Sequence, residues 1–379
     1  MTENLGFANG NPNVVVDLGN SIVKMLADVV DAVTSGIHFI HARVEIDEAQ
    51  YQRLAHGYRG TASAYQYIKW NGRYFVVGED AFSAGDVIRL EGRQKYSRDY
   101  YGIIFVSGIL RLFDGEVPEK INVFLAHPPM DHEQTGNLQK SVLGTWHIDN
   151  LGKRHTFRVE YASVFDEIIG GAMNVVLAPD GRRYNDHPIV EDGPTIVCDL
   201  GGGTFDIVRL KKDGTVDYVQ IASKKVGVND AVARFQKLFE ARYPDIVGDE
   251  VDGLPIERVH ECFMDPVHRF RYSGRNYIDC QAIYRDATQN LMNSVKEAYR
   301  TMTRGSMTYN HALITGGGGG LLYAELAEQI FPLFASSNAL HMADNRNQMM
   351  FANAKGAKKL LVPLTEMSRK QVIKKQVRR

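Results

Sequence analysis

Val14–Met25 reads VVVDLGNSIVKM, and Ile196–Leu210 reads IVCDLGGGTFDIVRL. Each is a β-rich run ending at Asp-Leu-Gly, then a turn, then a second run opening on Ile-Val and a basic residue: strand, tight turn, strand. Aligned on those Ile-Val pairs, the second loop is three residues longer, since Asp17 to Ile22 spans five positions and Asp199 to Ile207 spans eight. The two Asp-Leu-Gly turns stand a domain length apart (199 − 17 = 182). The echo therefore predicts two related domains facing each other.

Length and composition agree with two cores. The chain has 379 residues and a mass of 42.5 kDa, room for two domains at about 150 residues each. Its 44% hydrophobic and 23% charged residues are those of a globular chain and exclude a disordered or fibrous one. With 44 basic against 45 acidic side chains, no global field draws it to nucleic acid or anionic membrane. Three cysteines, Cys198, Cys262 and Cys280, are too few and scattered for a disulfide framework and fit a reducing cytoplasm. The opening MTENLGFANGNPN has neither a basic start nor an apolar run, so secretion and membrane spanning are not expected.

Between the echoes, Tyr65–Val77 reads as a hairpin turning at Asn71-Gly72, a pair that tolerates positive φ. Ile121–Ala126 reads as a buried strand, Trp146–Val159 as a second hairpin around positions 150–152, and Asp166–Leu177 as a helix. Beyond the second echo come a strand at Val216–Ile221 and a helix at Asp230–Ala241. A long helix follows at Asp279–Met302, with Ala282, Tyr284, Ala287, Leu291 and Val295 as its apolar stripe. His311–Thr315 is a short strand running into Gly316–Gly320, and a helix is expected over Leu321–Phe334.

Phosphates need backbone N–H groups that approach closely, and glycine turns supply them. One glycine run alone is more often just a tight turn; here three follow β-runs, and two carry Asp at the strand end. Asp17 and Asp199 suit Mg²⁺ held through water, because that ion dehydrates reluctantly. Lys24, one strand away from Asp17, can reach back to a β- or γ-phosphate. No GxxxxGK[ST] loop is present, which excludes a P-loop enzyme. The glycine run also lacks the acidic residue of a dinucleotide site. His260, Cys262, His268 and Cys280 do not have the spacing of a zinc ribbon.

Taken in order, these segments resemble the five motifs of the actin, sugar-kinase and heat-shock chaperone superfamily of ATPases. VVVDLGNSIVK is similar to its first phosphate loop, TIVCDLGGGTFDIV to its second and HALITGGGGGLL to its adenosine motif. Positions 126–130 and 352–356 resemble its two interdomain connections. The resemblance implies an α/β, actin-like ATPase fold: two related ribonuclease-H-like domains flanking a nucleotide cleft, one over 1–165 plus about 340–379, the other over 166–339. It implies a nucleotide cofactor, ATP with GTP as an alternative, and Mg²⁺ at Asp17 and Asp199. The nucleotide contacts it implies are Asp17, Gly19, Asn20, Ser21 and Lys24 in the first loop, and Gly201, Gly202, Gly203 and Thr204 in the second. Asn229 and Asp230 follow, then Gly316, Gly317, Gly318 and Gly319.

Positions 144–176 are similar to bacterial plasmid-segregation actins of the ParM type. That likeness gives the catalytic roles to Asp199 and to Glu167, which would position the attacking water, with Asp166 one residue away as the competing carboxylate. It further implies a slow ATPase that assembles head to tail into cytoplasmic filaments, without a membrane, and that moves plasmid DNA through a DNA-binding adaptor. A chromosomal, phage or archaeal filament is the near alternative, and a small-molecule kinase of the same superfamily the more distant one. A chaperone is disfavoured, since only about 60 residues follow the glycine run, too few for a separate peptide-binding domain. The tail from Ser368, with six basic residues and no acid, offers a polyanion contact or a frayed helix end.

Overall fold

The structure, a computed structural model, describes residues 10–19, 22–27, 36–56, 62–85, 87, 95–184, 186–247, 256–273, 276–303 and 308–362. The basic tail and two expected loop residues, Asn20 and Ser21, lie outside the described residues.

The first half is built on β1 (Asn13–Leu18), β2 (Ile22–Ala27), β3 (Gly36–Ile40), β4 (Arg43–Ile46), β5 (Tyr67–Trp70) and β6 (Arg73–Val77). With β7 (Lys120–His127), β8 (Gly144–Asn150) and β9 (Lys153–Asp166) they form one sheet, ordered β3-β2-β1-β7-β9-β8-β5-β6-β4. The second half carries β10 (Thr195–Leu200), β11 (Phe205–Leu210) and β12 (Val216–Lys224), then a separate hairpin of β13 (Arg269–Ser273) and β14 (Asn276–Asp279). Together with β15 (His311–Thr315) and β16 (Leu340–Met342), the first three form a sheet ordered β12-β11-β10-β15-β16.

Local turn chemistry sets the hairpins. Asn71 and Gly72 both take positive φ, as do Leu151 and Gly152, the backbone that matches strand twist across a two-residue connection. The helix Ile103–Leu112 is apolar nearly all round, so it sinks into the first core against Met25, Phe39 and Trp146. In the second core the helix Val228–Arg242 packs on the helix Gln281–Thr303 around Phe235, Phe239 and Leu291. The buried stripe of that long helix runs through Ile283, Tyr284, Ala287, Leu291 and Val295, while Ala282 is exposed.

Four expectations change. β1 pairs with β2 so that Asp17 faces Lys24, and β10 pairs with β11 so that Asp199 faces Asp206. Both steps are seven residues, so the hairpins are equal in length and the Ile-Val alignment was three positions out of register. Second, positions 126–130 do not cross between the halves, because β7 before them and β8 and β9 after them share one sheet. Third, the glycine run opens the helix Gly317–Leu321 instead of preceding it. A Cβ on Gly318 would stand 2.5 Å from Val228 Cγ2 and 2.7 Å from Leu200 O. Fourth, the next helix is broken into Tyr323–Gln329 and Pro332–Ser336, since Phe331 leaves helical geometry and Pro332 starts a new turn.

The halves are joined by two helices. Glu167–Val176 follows β9 of the first sheet yet packs Ile168, Ala172 and Val176 onto Val197, Val208 and Leu313 of the second. The helix over 352–362 follows the second half and lays Ala354, Ala357 and Leu361 on Val15, Leu26 and Phe124 of the first. Since β16 still belongs to the second sheet, the chain returns after it, later than position 340. The two helices cross at glycine: a Cβ on Gly356 would lie 1.7 Å from Gly170 O. Among the described residues no helix is long and apolar enough to cross a membrane.

Gly356→Ala is therefore expected to lower the thermal midpoint by the equivalent of about 1–3 kcal/mol, the usual cost of overpacking. Gly136→Ala, where a Cβ meets nothing within 4 Å, is the control and should hold or gain stability. Equal melting of both variants in calorimetry would show that the crossing has room to spare.

Candidate functional site

The strand ends of both hairpins, the crossing helix and the glycine-run helix converge on a cleft of about 850 Å³, part of it open to solvent. Gly19 and Lys24 line it from the first half, Glu167 from the crossing helix, and Asp199, Gly201, Gly202, Gly203, Thr204 and Asn229 from the second. Gly316, Gly317 and Gly318 close one side. Gly316 takes φ +83°, and a Cβ there would fall 2.0 Å from Asp199 Oδ1, so only glycine lets the turn pass the carboxylate.

Three expected residues stand off the cleft wall. Asp17 lies behind Lys24, which donates to its Oδ2 at 3.0 Å; Asp17 is 1% exposed, and its Oδ1 has no hydrogen-bond partner. Asp230 caps a helix, its Oδ2 accepting the Gly227 N–H at 2.9 Å. Gly319 faces Ile314 of β15. The competing carboxylates separate clearly: Glu167 lines the cleft, whereas Asp166 Oδ1 points at His127 Nε2, 3.5 Å away.

Several wall residues went unread in the sequence. Asn353 donates to Asp199 Oδ2 at 2.7 Å and accepts from Thr315 Oγ1 at 3.0 Å, tying the return helix to two strand ends. Asn353 lies in the 352–356 stretch, but nothing in a single Asn announces a partner 154 positions away. Lys95, Met264 and Met350 also line the cleft and carry no local signal. Asp206 had one, its register seven residues after Asp199. Cys262 and Cys280 are buried in the second core, and among the described residues no candidate metal-ligating cluster includes them; the His260 side chain lies outside the described residues.

The cleft gathers negative charge under poor solvation. Burial, then Asp17, Asp199 and Asp206, push the Glu167 carboxyl well above the ordinary carboxylate range, with Lys24 pulling the other way. Burial pushes Asp199 up to about 6 against the Asn353 hydrogen bond, and Asp17 adds to the rise. Asp206 goes up to about 7, first through burial and then through Asp199, while Ser223 and Thr204 act the other way. Lys24 is held above its usual value: its burial acts downward, but Asp17, Glu167 and Asp199 outweigh it. Asp17, Glu167 and Asp199 do not bring three ligand atoms within 4.8 Å of one another. A divalent ion here would keep part of its water shell, as Mg²⁺ does.

No protein-family model matches the sequence, and no curated protein matches it. Solved structures do. The actin-like protein Alp7A is similar at TM-score 0.68 and 15% identity, over 97% of this chain and 98% of that one. ParM from a 15-stranded Clostridium botulinum filament is similar at 0.68 and 17%, over 95% and 99%. The archaeal actin homologue Ta0583 in complex with ADP is similar at 0.64 and 17%, over 91% and 97%. The chain has the actin-like fold, with two sheets facing each other across the cleft.

The shifted acids give a pH test. A carboxyl whose folded pKa is raised binds more protons folded than unfolded, so its contribution to stability is full below about pH 4 and falls as pH rises through the folded pKa. For Asp206 that window runs from about 4 to about 7. Without divalent ions or nucleotide, Asp206→Asn should gain thermal stability relative to wild type across this window. A difference that stays flat with pH in scanning fluorimetry would mean Asp206 keeps an ordinary pKa.

Proposed function

We propose that the protein is a Mg²⁺-dependent ATPase whose nucleotide state governs its assembly into head-to-tail filaments. The observation that carries this reading is the pair of equal hairpins, Asp17 with Lys24 and Asp199 with Asp206, presenting glycine loops to one cleft beside a buried Glu167. The fold likeness to a ParM filament and to an ADP-bound actin homologue supports it. In this reading the triphosphate lies along Gly19 and Gly201–Thr204, with Lys24 meeting its charge. The base lies toward Gly316–Gly318, Leu321 and Met350. GTP is a second substrate, because glycine loops read phosphates and not the base.

Asp199, with Asp17 behind Lys24, would hold the hydrated ion, which supplies charge neutralisation on the phosphates when bound. Glu167 takes the catalytic role. It sits at the first turn of a helix packed on the second sheet, which fixes where its carboxylate points. In its ionised form it would orient and deprotonate a water attacking the γ-phosphate, a step that depends mainly on positioning. The proton passes from that water to a Glu167 oxygen. Domain one would comprise 1–165 with the return helix, and domain two the rest. The use most in keeping with the ParM likeness is segregation of plasmid DNA in the cytoplasm, through a DNA-binding adaptor.

Glu167→Ala should bind Mg·ATP about as wild type does but release phosphate about 10²- to 10⁴-fold more slowly. Its filaments, followed by sedimentation after ATP addition, should outlast wild-type ones. Asp166→Ala should hydrolyse normally. A near wild-type rate in Glu167→Ala removes the assignment, and a protein that stays monomeric at every nucleotide and salt concentration removes the filament.

A further inference from the structure

At the end of β7, beside the cleft but outside it, three metal-ligand side chains meet. The candidate ligand atoms of His127, His132 and Asp166 all lie within 4.8 Å of one another. His127 is 3% exposed, Asp166 half-buried and His132 exposed. The sequence hides this grouping, since it joins a strand end, the short turn Pro129–Gln134 and the residue that starts the crossing helix.

The hydrogen-bond pattern leaves the cluster electron-rich. His127 Nδ1 lies 2.6 Å from the carbonyl of Pro128, which can only accept, so Nδ1 carries the ring proton. With that proton on Nδ1, Nε2 is the ring nitrogen that can offer a lone pair, and it faces Asp166 Oδ1 at 3.5 Å. That oxygen is buried and has no hydrogen-bond partner. Two potential electron-pair donors thus face each other. A proton would satisfy two donors; the third, His132, whose ring centre is 5.9 Å from that of His127, is what a metal uses. The spacing agrees. Ligands at about 2.0–2.2 Å from a tetrahedral ion stand about 3.3–3.6 Å apart, the separation already held by His127 and Asp166.

We propose that His127, His132 and Asp166 bind one zinc-class divalent cation, with water completing the tetrahedron. Two imidazoles and one carboxylate select such an ion over Mg²⁺, which prefers oxygen ligands and octahedral geometry. The immobile His127 and Asp166 supply the preformed edge, and His132 closes onto it from the surface. The ion would join the turn at Pro129–Gln134, which packs against β12 of the second sheet, to the start of the crossing helix. It would therefore pin the turn that touches the second sheet to the strand end from which the crossing helix starts.

The test titrates metal-free, full-length protein with Co²⁺, with excess Mg²⁺ present, and then displaces Co²⁺ with Zn²⁺. One equivalent should give the visible bands of tetrahedral cobalt with nitrogen and oxygen ligands, lost on adding Zn²⁺. Calorimetry with Zn²⁺ should show affinity at least about tenfold weaker in His132→Ala and in Asp166→Asn, since even outer-sphere losses cost about 10- to 100-fold. Glu133→Ala, an exposed neighbour, should bind as wild type does. His132 is exposed, so its removal leaves the fold intact, and circular dichroism checks that. No tetrahedral band at one equivalent, a sulfur charge-transfer band placing cobalt on cysteine, or unchanged affinity in His132→Ala would each overturn the site.

Discussion

Two helices pass each other here with no side chain between them, and the geometry of both halves hangs on that contact. Gly170 and Gly356 approach so closely that neither has space for a methyl group. Each helix is anchored elsewhere, by apolar side chains on the sheet of the opposite half from the one it left. The crossing therefore fixes how the sheets face each other, and so the width of the cleft. It also lies directly under the chemistry. Glu167 is three residues before Gly170, and Asn353, holding Asp199 and Thr315, is three before Gly356.

Above that crossing the two hairpins share a register but differ in charge. At the position facing the strand-end Asp, the first half carries Lys24 and the second carries Asp206. The first half neutralises itself through the Lys24–Asp17 pair. The second sets one buried carboxylate across from another, and Asp199 adds to the burial that lifts Asp206 to about 7. A duplicated scaffold has thus become one side that offers a cation and one that needs one. Phosphates with a hydrated metal are complementary to that asymmetry, which is why the proposed function places the ion with Asp199.

What could be read in the sequence was local. Asn71-Gly72 declares a turn because both residues tolerate positive φ, and the two Asp-Leu-Gly turns declare hairpins through the β-rich runs on either side of them. Such signals survive at 15–17% identity, where no family model matches, because they depend on backbone conformation and not on exact side chains. The misreadings came where sequence similarity competed with register. Ile22-Val23 and Ile207-Val208 look alike, yet pairing sets Lys24 against Asp206, so the apparent loop insertion was an alignment error. Lys95, Met350 and Asn353 reach the cleft through the folding of distant segments, which no local pattern encodes.

The same contact constrains how the proposed cycle moves the molecule. Apolar anchors resist sliding, because displacing a helix along its sheet would unseat residues such as Ile168 and Leu361 from close-packed neighbours. A glycine crossing resists little, since two backbones in contact can tilt without repacking side chains. The soft coordinate is then rotation about the crossing, and the groups positioned to drive it are those bonded across it. Asn353 is such a group, drawn toward Asp199 from the helix that rests on the first sheet. A ligand that changed the charge at Asp199 would act on that hydrogen bond, which spans the crossing.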